Sequence, residues 1–298
     1  MSNISWMYKN LVSSIPTITE TFGTSNSDYG TNNMFDNNLQ TYWSVDRLNL
    51  TTPATVIFDF GSNVNVDSLI VVHNLNSGTM YFIADNTLPV VPIIADPHYI
   101  LLGEPPLVIG DTPYNFSDIP MRYGTSNTPV LSGTFTNIFG LPILGSTGTS
   151  TNYINDVRNY RYWELFLGGT NFSEVSRINE VFIGRRDTLP INPEWPFLIE
   201  SDTKTIVTKS ETGHKYVYKK YDSKKWSFRY SGINQAEFGT LNNMRSICNG
   251  GYKPFFMCID KDDNKFDTKF IRFSKGFWKS SEVAYKIYDL EFSVEEEF

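Results

Sequence analysis

Between Lys9 and Lys204 this 298-residue chain contains no lysine, whereas lysine is frequent after Lys204. Residues 1–187 hold 8 Lys and Arg against 16 Asp and Glu, a net of −8, while residues 188–298 hold 17 against 16, a net of +1. So sharp a change predicts two domains. Other scarcities exclude whole classes of function. Two cysteines, Cys248 and Cys258, are too few for a disulfide scaffold and bring no further zinc ligand with them, which leaves buried free thiols. Three histidines, His73, His98 and His214, stand far apart in sequence and show no metal-ligand spacing; His73, at a strand end, reads as structural. Clustered cations are missing, and a net charge of −7 argues against a nucleic-acid partner, which must be met by concentrated positive charge. No apolar run approaches the roughly 20 residues of a membrane helix, and no signal-like leader is visible, so folding in a cytoplasm is expected. Motifs of the G-x-S-x-G, Walker or G-x-G-x-x-G kind do not occur in a suitable context, so no catalytic residue is assigned and the protein is read as a non-enzyme.

Aromatic and β-branched residues are plentiful. Twenty-two Phe and 17 Tyr, with many Val, Ile and Thr, favour pleated structure, and few stretches carry a helical period. In the first domain, 1–187, the strands read as Ala54–Gly61, Val66–His73, Gly78–Ala84, Tyr160–Leu167 and Ile178–Gly184. Between residues 89 and 153, Pro, Gly, Thr, Ser and Asn predominate, and long surface loops are expected there; loops of that length in a compact domain commonly carry binding surfaces. A proline-rich linker, 188–199, contains Pro190, Pro193 and Pro196, and its stiffness follows from fixed φ. The second domain, 200–298, opens with a hairpin of Lys204–Lys209 and Lys215–Tyr221. In Gln235–Cys248, Phe238, Leu241, Met244, Arg245 and Cys248 fall on one helical face, and Asn249-Gly250-Gly251 ends that helix in left-handed backbone. Asp260–Asp267 spaces oxygen ligands like a calcium loop but lacks the glycine and closing acid of an EF-hand, so a polar turn is expected. Glu295–Glu297 is expected as a solvated tail.

The segment Asp36-Asn37-Asn38-Leu39-Gln40-Thr41-Tyr42-Trp43, followed by TVIFDFG at 55–61 and later by ELFL and INEVFIG, resembles the discoidin or galactose-binding-like jelly roll over about residues 15–187. That resemblance implies a structural calcium held by Asp36, Thr41 and Glu180, with Asn37 standing where the family often has glycine. It also implies that Trp43 is core. The hairpin, KKWSFRYSGI, the helix, GGYKPFFMCID and the closing strand DLEFSVEE resemble, in that order, a tail-tube-like domain of phage distal-tail and baseplate-hub proteins over about 200–298.

The fold class expected is therefore mainly β: a galactose-binding-like jelly-roll sandwich followed by a β-sandwich or barrel with one packed helix. The function these resemblances imply is that of a structural component of a phage tail tip or baseplate. It would form a sixfold or threefold homo-oligomeric ring against tail tube, hub and fibre proteins, be assembled in the host cytoplasm, and require no cofactor, the structural calcium being the one ion the resemblance implies. The alternative is an extracellular carbohydrate-binding module or lectin, in which Tyr99, Tyr114 and Tyr123 stack on sugar faces. A carbohydrate-active enzyme is a third class, since glycosidase carboxylates are recognised only by their separation in space.

Overall fold

The structure, a computed structural model, describes residues 3–14, 17–22, 24–25, 29–46, 54–74, 79–86, 138–141, 148–168, 177–212, 214–259 and 268–297. Its strands are β1 (Ser5–Asn10), β2 (Thr17–Phe22), β3 (Thr24–Ser25), β4 (Trp43–Asp46), β5 (Ala54–Asn74), β6 (Thr79–Asp85), β7 (Ile138–Leu141), β8 (Gly148–Gly168), β9 (Arg177–Thr188), β10 (Leu198–Lys209), β11 (Lys215–Asn234), β12 (Phe255–Cys258), β13 (Thr268–Ala284) and β14 (Ile287–Glu296); the helix α1 spans Gln235–Ile247. The chain is mainly antiparallel β, as its composition predicts. It divides into a split unit, Met1–Asn10 with Gly184–Phe298, and an inserted unit, Leu11–Ile183.

The inserted unit is a two-layer jelly roll built on two long strands that change layer. Val56 and Phe58 point inward from β5, and the pairing of β5 with β8 then slips between Asp59 and Val64. Gly61 sits at this bend with φ 71°, a conformation favoured only by glycine, and Asp59 Oδ1 accepts its amide at 2.8 Å. The guanidinium of Arg161 holds both oxygens of the same Asp59, at 2.7 and 2.8 Å. Thus the D-F-G triplet does not end a strand, as the sequence pattern suggests; it bends one, which continues to Asn74. The first half of β5 lies between β2 and the end of β8, which continues the layer through β6 and β7. Its second half pairs with the start of β8 and neighbours β9, which also carries β4. Between the layers Phe58, Phe82, Trp163 and Leu165 meet Trp43, Leu69, Val71, Ile178 and Val181. Trp43 is core, as the resemblance implies.

The split unit orders its strands β10-β11-β14-β13-β12-β1, and the last residues of β9 follow β1. Trp6, Phe228, Phe255, Phe292 and Val294 make its core with α1 on that face. Leu241, Met244 and Cys248 turn inward from the helix, and Phe238 stacks on Tyr288 at 4.4 Å. Asn234 caps the helix by accepting from the amides of Ala236 (2.9 Å) and Glu237 (3.0 Å), and Glu237 closes the capping box onto the Asn234 amide (2.9 Å). Asn249, Gly250 and Gly251 take positive φ after the helix, as expected. At Gly251 a Cβ would lie 2.6 Å from the Phe273 carbonyl oxygen, so only glycine fits.

Three sequence expectations differ from what is observed. The first ten residues fall with 184–298 and not with the domain that follows them, because β1 pairs Ser5 with both Cys258 and Thr188. The stretch 188–199 is not a free linker: Leu189 and Pro193 are buried, Ile191 and Phe197 pack on the core, and Glu194 donates its amide to Arg229 O at 2.7 Å. Its Trp195–Pro196 bond is cis. Glu295 and Glu296 belong to β14, opposite Lys225 and Ile271, and Glu297 pairs with Arg272, so the acidic end is no free tail.

Candidate functional site

Strand β9 begins Arg177-Ile178-Asn179-Glu180, and three of these side chains hold the turn between Tyr29 and Trp43. Ile178 points into the core. Asn179, on the opposite face, donates its side-chain amide to the carbonyls of Leu39 (2.9 Å) and Thr41 (3.2 Å). Arg177 lies over the ring of Tyr42, 4.3 Å from its centre, and Tyr42 stacks on Tyr29 with centroids 4.5 Å apart. Glu180, 1% exposed, accepts the Asn37 amide at 3.2 Å.

The turn organises itself through its own polar side chains. Asp36 Oδ1 accepts from the Asn38 amide at 2.9 Å, and Asn38 Oδ1 accepts from Gln40 at 3.0 Å; both are short loops of the kind Asp and Asn favour. The Thr41 hydroxyl shares its proton between Asp36 Oδ2 and the Asn38 carbonyl, each 2.7 Å away. Asn37 stands at φ 61°. This is the backbone a glycine would take, and asparagine is among the few side chains that tolerate it. Asparagine here therefore keeps the geometry a glycine would give the turn.

Electrostatics single out Glu180. Burial pushes its carboxyl well above the usual carboxylate range, the charge of Asp36 adds to that, and the Asn37 amide offsets part. A buried carboxyl facing a second acid either keeps its proton or takes a cation. The oxygens of Asp36, Thr41 and Glu180 are right in kind for calcium, a hard ion bound by carboxylates, hydroxyls and carbonyls. They supply only two carboxylates, and no cluster of three or more acidic, Cys or His ligands occurs among the described residues. The three residues named from sequence are thus brought close, Asp36 and Thr41 within the turn and Glu180 against it from β9. Asn179 and Arg177 were missed, and the only trace of them was two polar residues at alternate positions beside Glu180.

Elsewhere, His73 is buried and hydrogen-bonded to Ser150 at 2.8 Å, and burial lowers its pKa to about 4. Cys248 and Cys258 are free and buried, as expected. No described helix is long and apolar enough to cross a membrane. Tyr99, Tyr114, Tyr123 and the segment Asp260–Asp267 lie outside the described residues.

Comparison with known proteins gives one kind of similarity. No family model matches the chain, and no curated protein matches it in sequence. Among solved structures it is similar to chitosan-binding module 1 of a chitosanase/glucanase from Paenibacillus sp. IK-5, with 13% identity over 59% of this chain and 98% of that one, at a TM-score of 0.36. It is also similar to the CBM32-1 module of a family 31 glycoside hydrolase from Clostridium perfringens, with 11% identity, 60% and 99% coverage and a TM-score of 0.33. A third is the C-terminal domain of a chitobiase from Bacteroides fragilis, with 16% identity, 59% and 93% coverage and a TM-score of 0.31. Likeness at this level carries no function across. The class that fold and site define is a mainly β protein with a jelly-roll unit inserted into a second β unit.

Proposed function

We propose that this protein is a structural component of a phage tail tip or baseplate, of the distal-tail-like kind that its second half resembles. The observation that carries the reading is the insertion. The inserted unit leaves from Asn10 and returns at Gly184, residues paired on neighbouring antiparallel strands of the split unit. A module whose two ends both join adjacent strands of one sheet is an insertion into that unit, a connectivity that suits an attachment module carried by a scaffold. In this role the split unit self-associates into a sixfold or threefold ring that meets tail tube, hub and fibre proteins, and the inserted unit is the attachment platform. The ring is assembled in the host cytoplasm and ends in the virion. Calcium at Asp36, Thr41 and Glu180 would serve only to hold the turn. No chemistry is asked of the chain, and the His73–Ser150 pair, buried on both sides, offers a substrate no access. Static light scattering of the full chain across concentration tests this: trimers or hexamers support the scaffold, and a strict monomer at every concentration counts against it.

A second reading, an extracellular carbohydrate-binding module, is favoured by one observation. Tyr29, Tyr42 and Arg177 form a half-buried stack in the inserted unit, the aromatic and planar cationic surfaces that sugars pack against. Titration with neutral and amino-sugar oligosaccharides separates the readings, since a lectin shows saturable binding as a monomer.

A further inference from the structure

Strand β11 pairs with β14 only between Lys225 and Asn234. Its earlier part, from Lys215, pairs with β10 alone among the described residues. Those ten residues project as a two-stranded arm about 30 Å long at roughly 3.4 Å per residue. Such a ribbon is marginal in water without a third element against it.

The arm also carries exposed apolar side chains on both faces. Ile206 faces Tyr218 and Thr208 faces Tyr216, which puts three large side chains on one face, 46%, 69% and 63% exposed for Ile206, Tyr218 and Tyr216. The register places Val207 opposite Val217 on the other face, 53% and 66% exposed. A ribbon lying on its own body would hide one face. Exposed apolar side chains on both faces call for contacts on both sides.

Charge indicates what supplies those contacts. Residues 202–225 hold seven lysines against Asp202, Glu211 and Asp222, a net of +4. Residues 11–183 hold no lysine and five arginines against fifteen acids, a formal net of −10, to which the buried Asp67, Glu164 and Glu180 add no surface charge. Two arms repel one another, and lysines along an edge strand discourage arm-to-arm pairing. An arm and an acidic body attract.

We propose that the β10–β11 arm is the contact by which one copy of this chain grips the acidic body of a second copy, head to tail. A contact between two different surfaces propagates, and it closes into a ring when the rotation allows. The inference rests on the self-assembly part of the proposed function, and names the surface responsible.

The test is sedimentation velocity of the full chain beside two double variants, Val207→Lys with Val217→Lys and Tyr216→Ser with Tyr218→Ser. Both alter exposed side chains, so far-UV circular dichroism should not change. Wild type is expected to assemble and both variants to sediment as monomers. Raising salt from about 50 to 500 mM should weaken wild-type assembly about tenfold, because exposed charges are then screened. Carbodiimide cross-linking of mixed heavy- and light-isotope copies should join Lys209 or Lys215 of one copy to a carboxylate within 11–183 of the other. Variants that assemble like wild type, with cross-links elsewhere, overturn the arm and leave self-assembly standing. A monomeric wild type overturns both.

Discussion

Asn37 donates its backbone amide to Glu180 across 3.2 Å while standing in left-handed backbone at φ 61°. Conformation and hydrogen bond depend on each other, since only that backbone turns the amide toward the buried carboxyl. Asn37→Gly should leave stability nearly unchanged. Asn37→Val should lose about 1–2 kcal/mol, the cost of a side chain in left-handed backbone, measured by urea unfolding of the full chain. Equal stability for Val and Gly would refute the coupling.

Calcium at this turn has a direct readout. Differential scanning fluorimetry in millimolar calcium, against excess chelator, should show a higher melting temperature with the ion, because a ligand bound only by the folded state stabilises it. Glu180→Gln should abolish the difference. An identical curve in chelator removes Asp36, Thr41 and Glu180 as ligands.

Two buried groups of the inserted unit oppose one another in pH. Burial lowers His73 to about 4 and raises Glu164 to about 7. The His73 contribution is complete above its unfolded value near 6.5 and is lost as pH falls toward 4. The Glu164 contribution is complete below its unfolded value near 4.5 and is lost as pH rises toward 7. Each is worth about 3 kcal/mol at about 1.4 per pH unit, so they largely cancel. Relative to wild type, Glu164→Gln should lose stability as pH drops from 6.5 to 4, and His73→Gln should lose it as pH climbs from 4.5 to 7. Parallel profiles for all three proteins would show that neither group is buried as described.

Removing the helix cap isolates a local term in the split unit. Asn234→Ala deprives the amides of Ala236 and Glu237 of their acceptor and should cost about 1 kcal/mol. Asn234→Asp should recover most of it. If Asp fares no better than Ala, the loss has another origin than the cap.

Much of this architecture was legible because its signals are local. The Asp36–Trp43 turn, the alternation of Val56 and Phe58, and the period of Leu241, Met244 and Cys248 each lie within a dozen residues of chain. β1 was not legible. Trp6 and Met7 are both fully buried, which erases the alternation that marks a strand, and its partners Thr188 and Cys258 are far along the sequence. The lysine boundary therefore followed surface charge and missed the contacts that return Met1–Asn10 to the later unit. Both hairpin strands of the arm were visible, but its projection depends on where β14 stops pairing, at Lys225 with Glu295. Within the site, Asp36, Thr41 and Glu180 came from resemblance, while Asn179 and Arg177 act on carbonyls and a ring that only the fold brings near.

The central proposal is that this chain assembles into a closed ring. Negative-stain electron microscopy of the purified full-length protein tests it most directly. The account predicts class averages of rings with six or three equivalent lobes. A field of isolated single particles at assembling concentrations, unchanged by salt, would contradict it.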